Sequence, residues 1–63
     1  MKKLSDYYRT LGKKDDLIGL RVFDTVNERF VYIKEVEGGL WCGKNMDDEF
    51  GSFYGMDRLE IEA

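Results

Sequence analysis

Apolar and polar positions alternate through most of Leu17 to Glu62, in short runs broken by glycine, asparagine and aspartate. A period of two over four to eight residues marks a half-buried β-strand. Ile18, Leu20 and Val22 alternate against Gly19, Arg21 and Phe23 and predict a first strand. Arg29 to Val36 predicts a second, with Val31 and Ile33 on one face and Phe30 and Tyr32 on the other. The alternation then slips, because Glu35 shares the face of Val31 and Ile33 while Val36 is apolar. A β-bulge near Lys34 repairs the pattern and bends the strand sharply. Glu37-Gly38-Gly39 predicts a tight hairpin into a third strand, Leu40 to Met46. Phe50 to Gly55 predicts a fourth, and Arg58 to Glu62 a fifth that points Leu59 and Ile61 inward. Asp24 to Glu28 reads as a loop whose Asp and Asn fold back on the backbone.

Ahead of the strands the period changes. Leu4, Tyr7, Tyr8 and Leu11 fall at i, i+3, i+4 and i+7, the spacing of one helix face. Ser5 is the expected N-cap and Gly12 the expected left-handed end. So short a helix is unstable alone, so its apolar stripe must dock on the barrel or on a partner. Lys13-Lys14-Asp15-Asp16 reads as a polar connector. The expected organisation is therefore a basic helical arm, residues 1–14, and a small β-barrel domain, residues 15–63.

Charge sharpens that division. The net charge of −3 separates into five bases against one acid in residues 1–14, and five bases against twelve acids in residues 15–63. Such asymmetry bears on the choice of partner. At 63 residues the chain makes one domain, near the lower limit for a core without staples. The single cysteine, Cys42, excludes an internal disulfide and fits a reducing cytoplasm. No apolar run approaches the ~20 residues of a membrane helix. Asp6 and Arg9 interrupt what would be the hydrophobic region of an export signal.

The five short strands, the bent second strand, the Gly38-Gly39 hairpin and the short fourth strand resemble the SH3-like small barrels. That group includes KOW-type, Tudor-type and short phage or prophage accessory proteins. The resemblance covers Leu17 to Ile61 and implies a mainly β fold, either a five-stranded barrel or a rolled antiparallel sheet preceded by a short helix. It implies little about function. The opening motif of peptide-binding SH3 domains is absent. The aromatic cage of Tudor-type barrels has its residue types in Trp41, Phe50, Phe53, Tyr54 and Asn45, although so small a core needs aromatics for packing.

Catalysis lacks its parts. The chain has no histidine, so Ser5, Thr10, Thr25 and Ser52 have none to activate them. Asp47-Asp48-Glu49 lacks the spaced oxygens of a calcium loop. Nothing in the sequence points to a cofactor or a metal. Those carboxylates instead suit a basic protein surface, and the aromatics opposite the core suit a contact face. The sequence thus predicts a non-enzymatic, cytoplasmic protein-binding module, of the kind a bacterial or phage accessory protein uses to modulate a larger host machine. Trp41, Tyr32, Phe30 and Tyr54 are the expected aromatic contacts, and Asp47, Asp48 and Glu49 the steering charges. The alternatives are nucleic-acid binding through the basic arm, an acidic mimic of nucleic acid that inhibits a processing enzyme, and a homodimer paired through a sheet edge.

Overall fold

In the computed structural model, which describes residues 1–62, the alternating runs form one antiparallel sheet of six strands. They are β1 (Lys2–Lys3), β2 (Arg21–Asp24), β3 (Arg29–Glu35), β4 (Leu40–Gly43), β5 (Ser52–Tyr54) and β6 (Leu59–Ile61). The order across the sheet is β1-β6-β2-β3-β4-β5. The protein is mainly β, as the sequence predicts, with two differences. The sheet has six strands, and it stays open, with β1 and β5 as its edges.

Side-chain alternation sets the two faces. Val22 of β2 lies opposite Val31 of β3, and Ile33 lies opposite Cys42 of β4. All four are buried, together with Leu40, Tyr54, Leu59 and Ile61. The predicted bulge is present: the β3–β4 register shifts between Ile33 and Glu35. Skipping Lys34 returns Val36 to the inner face, where it is 8% exposed. The turn that follows uses φ values of 69° at Gly38 and 134° at Gly39, a conformation that side chains with a Cβ rarely adopt.

The helix α1 (Leu4–Leu11) ends at Gly12 with φ 80°, as expected. Its start differs from the expected Ser5 cap. The capping position is Lys3, with no side-chain cap bond. Lys3 is also the last residue of β1, where it pairs with Glu60. The sheet, not a side chain, thus fixes where the helix begins. Leu4 is fully buried, and Tyr7, Tyr8 and Leu11 pack on the core cluster. The stripe is docked within the chain.

The connector differs too. Lys14–Leu17 forms a 3₁₀ turn that buries Leu17 and leaves Ile18 outside, 44% exposed. The first long strand therefore starts at Arg21, three residues later than the alternation suggests. A second 3₁₀ turn, Met56–Arg58, leads into β6. The strands expected to run to Met46 and from Phe50 are shorter, since Lys44–Gly51 forms the β4–β5 loop.

Candidate functional site

The outer face of the sheet carries the aromatics that the alternation directs away from the core. Phe23 and Phe30 are cross-strand partners with ring centroids 5.1 Å apart, edge to face. The Arg21 guanidinium stacks 3.8 Å from the Phe30 centroid. Trp41 and Phe53 form a second edge-to-face pair at 4.8 Å. Between the two pairs lies Tyr32, opposite Gly43. The five rings thus run diagonally across β2 to β5. Phe30, Tyr32 and Trp41 are half-buried, and Phe53 is 62% exposed. Because α1 packs on the core side, it leaves these rings uncovered.

Tyr54, the fourth expected aromatic contact, sits elsewhere. It points inward, is 6% exposed, and accepts a hydrogen bond at its hydroxyl from Arg29 Nη2 at 3.1 Å. Asp47, Asp48 and Glu49 lie in the β4–β5 loop. Asp48 Oδ1 accepts from the Phe50 N–H at 3.1 Å and Asn45 Oδ1 from the Asp47 N–H at 3.1 Å, so the loop caps itself. Asp47 and Glu49 are exposed. Strand pairing does not bring Glu60 and Glu62 beside this loop. β6 pairs with β1 and β2, and three strands separate it from β5 across the sheet.

A different carboxylate is the electrostatic centre of the fold. Asp24 has no exposed surface, yet it is ionised and fully engaged. Its Oδ1 accepts from Val26 N–H at 3.0 Å, Asn27 N–H at 3.4 Å and Arg58 Nε at 3.2 Å. Its Oδ2 accepts from Asn27 Nδ2 at 2.9 Å and Arg58 Nη2 at 3.0 Å. Burial by itself raises a carboxyl pKa; here the bonds from Arg58, Asn27 and two backbone amides outweigh it and hold Asp24 well below the usual range. The Thr25 N–H and Oγ1 both donate to the Arg58 carbonyl, at 3.0 and 2.7 Å. Arg58 then stacks 4.4 Å from the Tyr54 ring centroid, and Tyr54 meets Arg29. The fold-back of Asp24 is legible in its loop composition. Its partner 34 residues away is not, because no local pattern announces it.

Two hollows adjoin Tyr54. One, of about 470 Å³, lies under the β4–β5 loop and is lined by Arg29, Cys42, Lys44, Phe50, Ser52 and Tyr54 among others. Phe50 at its rim is 78% exposed. Burial, with the nearby Asp24 charge adding to it and Arg58 opposing, pushes the Cys42 thiol up to about 11. At neutral pH the thiol is therefore held in its protonated form against the core. The other hollow, about 260 Å³, is mostly apolar and lies between the helix and the β3–β4 hairpin, with Tyr8, Leu17, Leu40 and Met56 in its walls.

No helix among the described residues is long and apolar enough to cross a membrane. No protein-family model matches the chain, and comparison with curated proteins and with solved structures finds no match.

Proposed function

We propose that this protein is a non-enzymatic protein-binding module that docks through the outer face of its sheet. The observation that carries the reading is the diagonal of five outward rings, Phe23, Phe30, Tyr32, Trp41 and Phe53, left uncovered by the helix. Neighbouring aromatics on one sheet face, here four half-buried and Phe53 exposed, suit the centre of a protein interface, because they bury apolar area with little loss of rotamer freedom.

The partner in this reading presents an apolar patch rimmed by basic residues. Glu35 faces Trp41 across β3–β4, Glu37 lies in the next turn, and Asp47 and Glu49 are exposed in the loop beyond β4. These carboxylates steer such a surface towards the rings. We further read the sheet as an SH3-like barrel left open, on the bent β3, the Gly38-Gly39 turn and the short β5. A cytoplasmic accessory protein of bacterial or phage origin remains the setting that fits a module of this size.

The test compares capture of partners from a native lysate by the wild-type protein and by a Trp41→Ala, Tyr32→Ala variant, with nuclease present. Circular dichroism first establishes that the variant is folded. A discrete partner retained by wild type and lost by the folded variant is the expected result. Equal capture by both would remove the aromatic face from the reading. Recovery abolished by nuclease would move it to nucleic acid.

A further inference from the structure

We infer that the hollow beneath the β4–β5 loop, which meets the outer aromatic face only at Phe30, is a nucleotide site, with Arg29 and Lys44 holding phosphate and Phe50 stacking on the base. Its volume of about 470 Å³ falls within the size range of small-ligand pockets. The chemistry of its walls is selective. Residues 15–63 are strongly acidic, yet two of their five bases line this one hollow. Arg58, by contrast, is neutralised by Asp24, and Arg21 is laid over Phe30. Among the described residues neither Arg29 nor Lys44 has a carboxylate in salt-bridge range.

The one acid in the lining, Asp48, turns Oδ1 back to the Phe50 amide. Tyr54 anchors one arm of the Arg29 guanidinium from below, through a 3.1 Å bond. The remaining N–H groups of that fork are free to meet an oxyanion. Phe50 is the most exposed large apolar residue of the protein's described part, at 78%, and it stands at the rim of the same hollow. A cationic pair beside an unpacked ring matches a phosphate joined to a flat base, since stacking tolerates any base and the cations need only an anion. The domain's overall negative charge opposes an anion at long range. Salt screens that repulsion beyond ~8 Å at physiological strength, whereas contacts inside the hollow are screened much less.

The nucleotide can be free or an unpaired unit of a single strand, and the test separates the two. Uridine 5′-monophosphate, inorganic phosphate, an eight-residue oligothymidylate and an acidic hexapeptide are titrated into isotopically labelled full-length protein. Amide shifts are followed by NMR. The expected result is saturable movement of the Arg29, Lys44, Gly51 and Ser52 amides with the monophosphate, and at least tenfold weaker binding of inorganic phosphate. Lys44→Gln and Phe50→Ser, both at exposed positions, should fold normally and each weaken the monophosphate by about tenfold. An oligonucleotide bound much more tightly than the monophosphate identifies a single strand as the source, and similar affinities identify the free nucleotide. Inorganic phosphate binding as well as the monophosphate, with Phe50→Ser silent, would overturn the proposal. So would preferential binding of the acidic peptide, or no shift up to 10 mM, on the order of the weakest specific affinities. Trp41 packs beside Gly51 of the lining, so Tyr32→Ala alone is the control: it should leave the site intact, as Lys44→Gln should leave partner capture intact, and the failure of the site and that of the protein-binding face are distinguishable.

Discussion

Two acidic turns cap the long strands of this protein, and they use charge in opposite ways. The first opens from Asp24 at the end of β2, wholly buried and bonded to five donor groups that include Nε and Nη2 of Arg58. The loop after β4 holds three consecutive carboxylates, of which, among the described residues, only Asp48 has a bond, and that bond is to its own loop. The difference teaches that density of charge in a sequence says little about its structural weight. One carboxylate with a complete set of donors fastens the β2–β3 turn to the start of β6. Asp48 steadies only its own loop, and the exposed Asp47 and Glu49 remain free to act on a partner.

The largest break in this comparison should come from Asp24→Ala. It strands the Arg58 guanidinium and leaves the Val26 and Asn27 amides without their acceptor. Arg58 keeps access to water, so the loss comes chiefly from the unpaired amides and the charge-assisted bonds, about 2–3 kcal/mol, comparable with the ~3–5 kcal/mol that a core of this size supplies. Urea titration followed by circular dichroism should find the variant largely unfolded in buffer.

Acid should reproduce the effect more gently. The folded-state pKa of Asp24 is depressed, so its contribution is fully present above the unfolded value of 3.8. It is lost as pH falls below that value towards the lower folded one. The urea midpoint should drop between about pH 5 and pH 2. A folded Asp24→Asn variant should lose most of that slope, and an unchanged slope would deny Asp24 its role.

Alkali probes the same core from the other side. Cys42 must stay neutral inside, with its pKa moved from 9.0 to about 11. An unfolded chain releases that proton at the lower value. Stability should therefore decline as pH rises from 9 to about 11, and Cys42→Ala should remove this component of the decline. The backbone of the first turn offers a smaller gain. Glu28 has φ 52°, a left-handed conformation that disfavours a residue with a long side chain. Glu28→Asn should raise stability by about 0.5 kcal/mol in the same titration.

The smallest expected change sharpens the contrast. Asp47→Asn, Asp48→Asn, Glu49→Gln keeps the amide-capping oxygens, so stability should move by no more than about 0.5 kcal/mol. Stopped-flow association with a basic partner should slow, with little change in its dissociation.

How far the residues disclose this arrangement depends on the range of the interaction. The bulge at Lys34 is legible because a slip in a two-residue period leaves Val36 on the wrong face. The helix is legible from Leu4, Tyr7, Tyr8 and Leu11, and its end from Gly12. The outward positions of Phe30, Tyr32 and Trp41 follow from the inward ones beside them. β1 is hidden, since two exposed lysines have no apolar pattern to betray a strand. The Asp24–Arg58 pair is hidden because its members meet only after the sheet has formed. The meeting of Arg29, Lys44 and Phe50 around one hollow depends on how the β4–β5 loop curls, which composition does not specify.

The pairing of Lys2 with Ile61 sets a timetable for the nascent chain. Helix α1 is made before the sheet it packs on, but eight residues cannot hold a helix alone. The strand that anchors its first turn must then wait for β6, which is made after the other five strands of the sheet. The β2–β3–β4 meander can assemble early because its contacts are local. The helix, β1 and β6 can only join afterwards. A chaperone meeting this chain during synthesis would therefore find the aromatic meander already shaped while Leu4 and its neighbours are still uncovered.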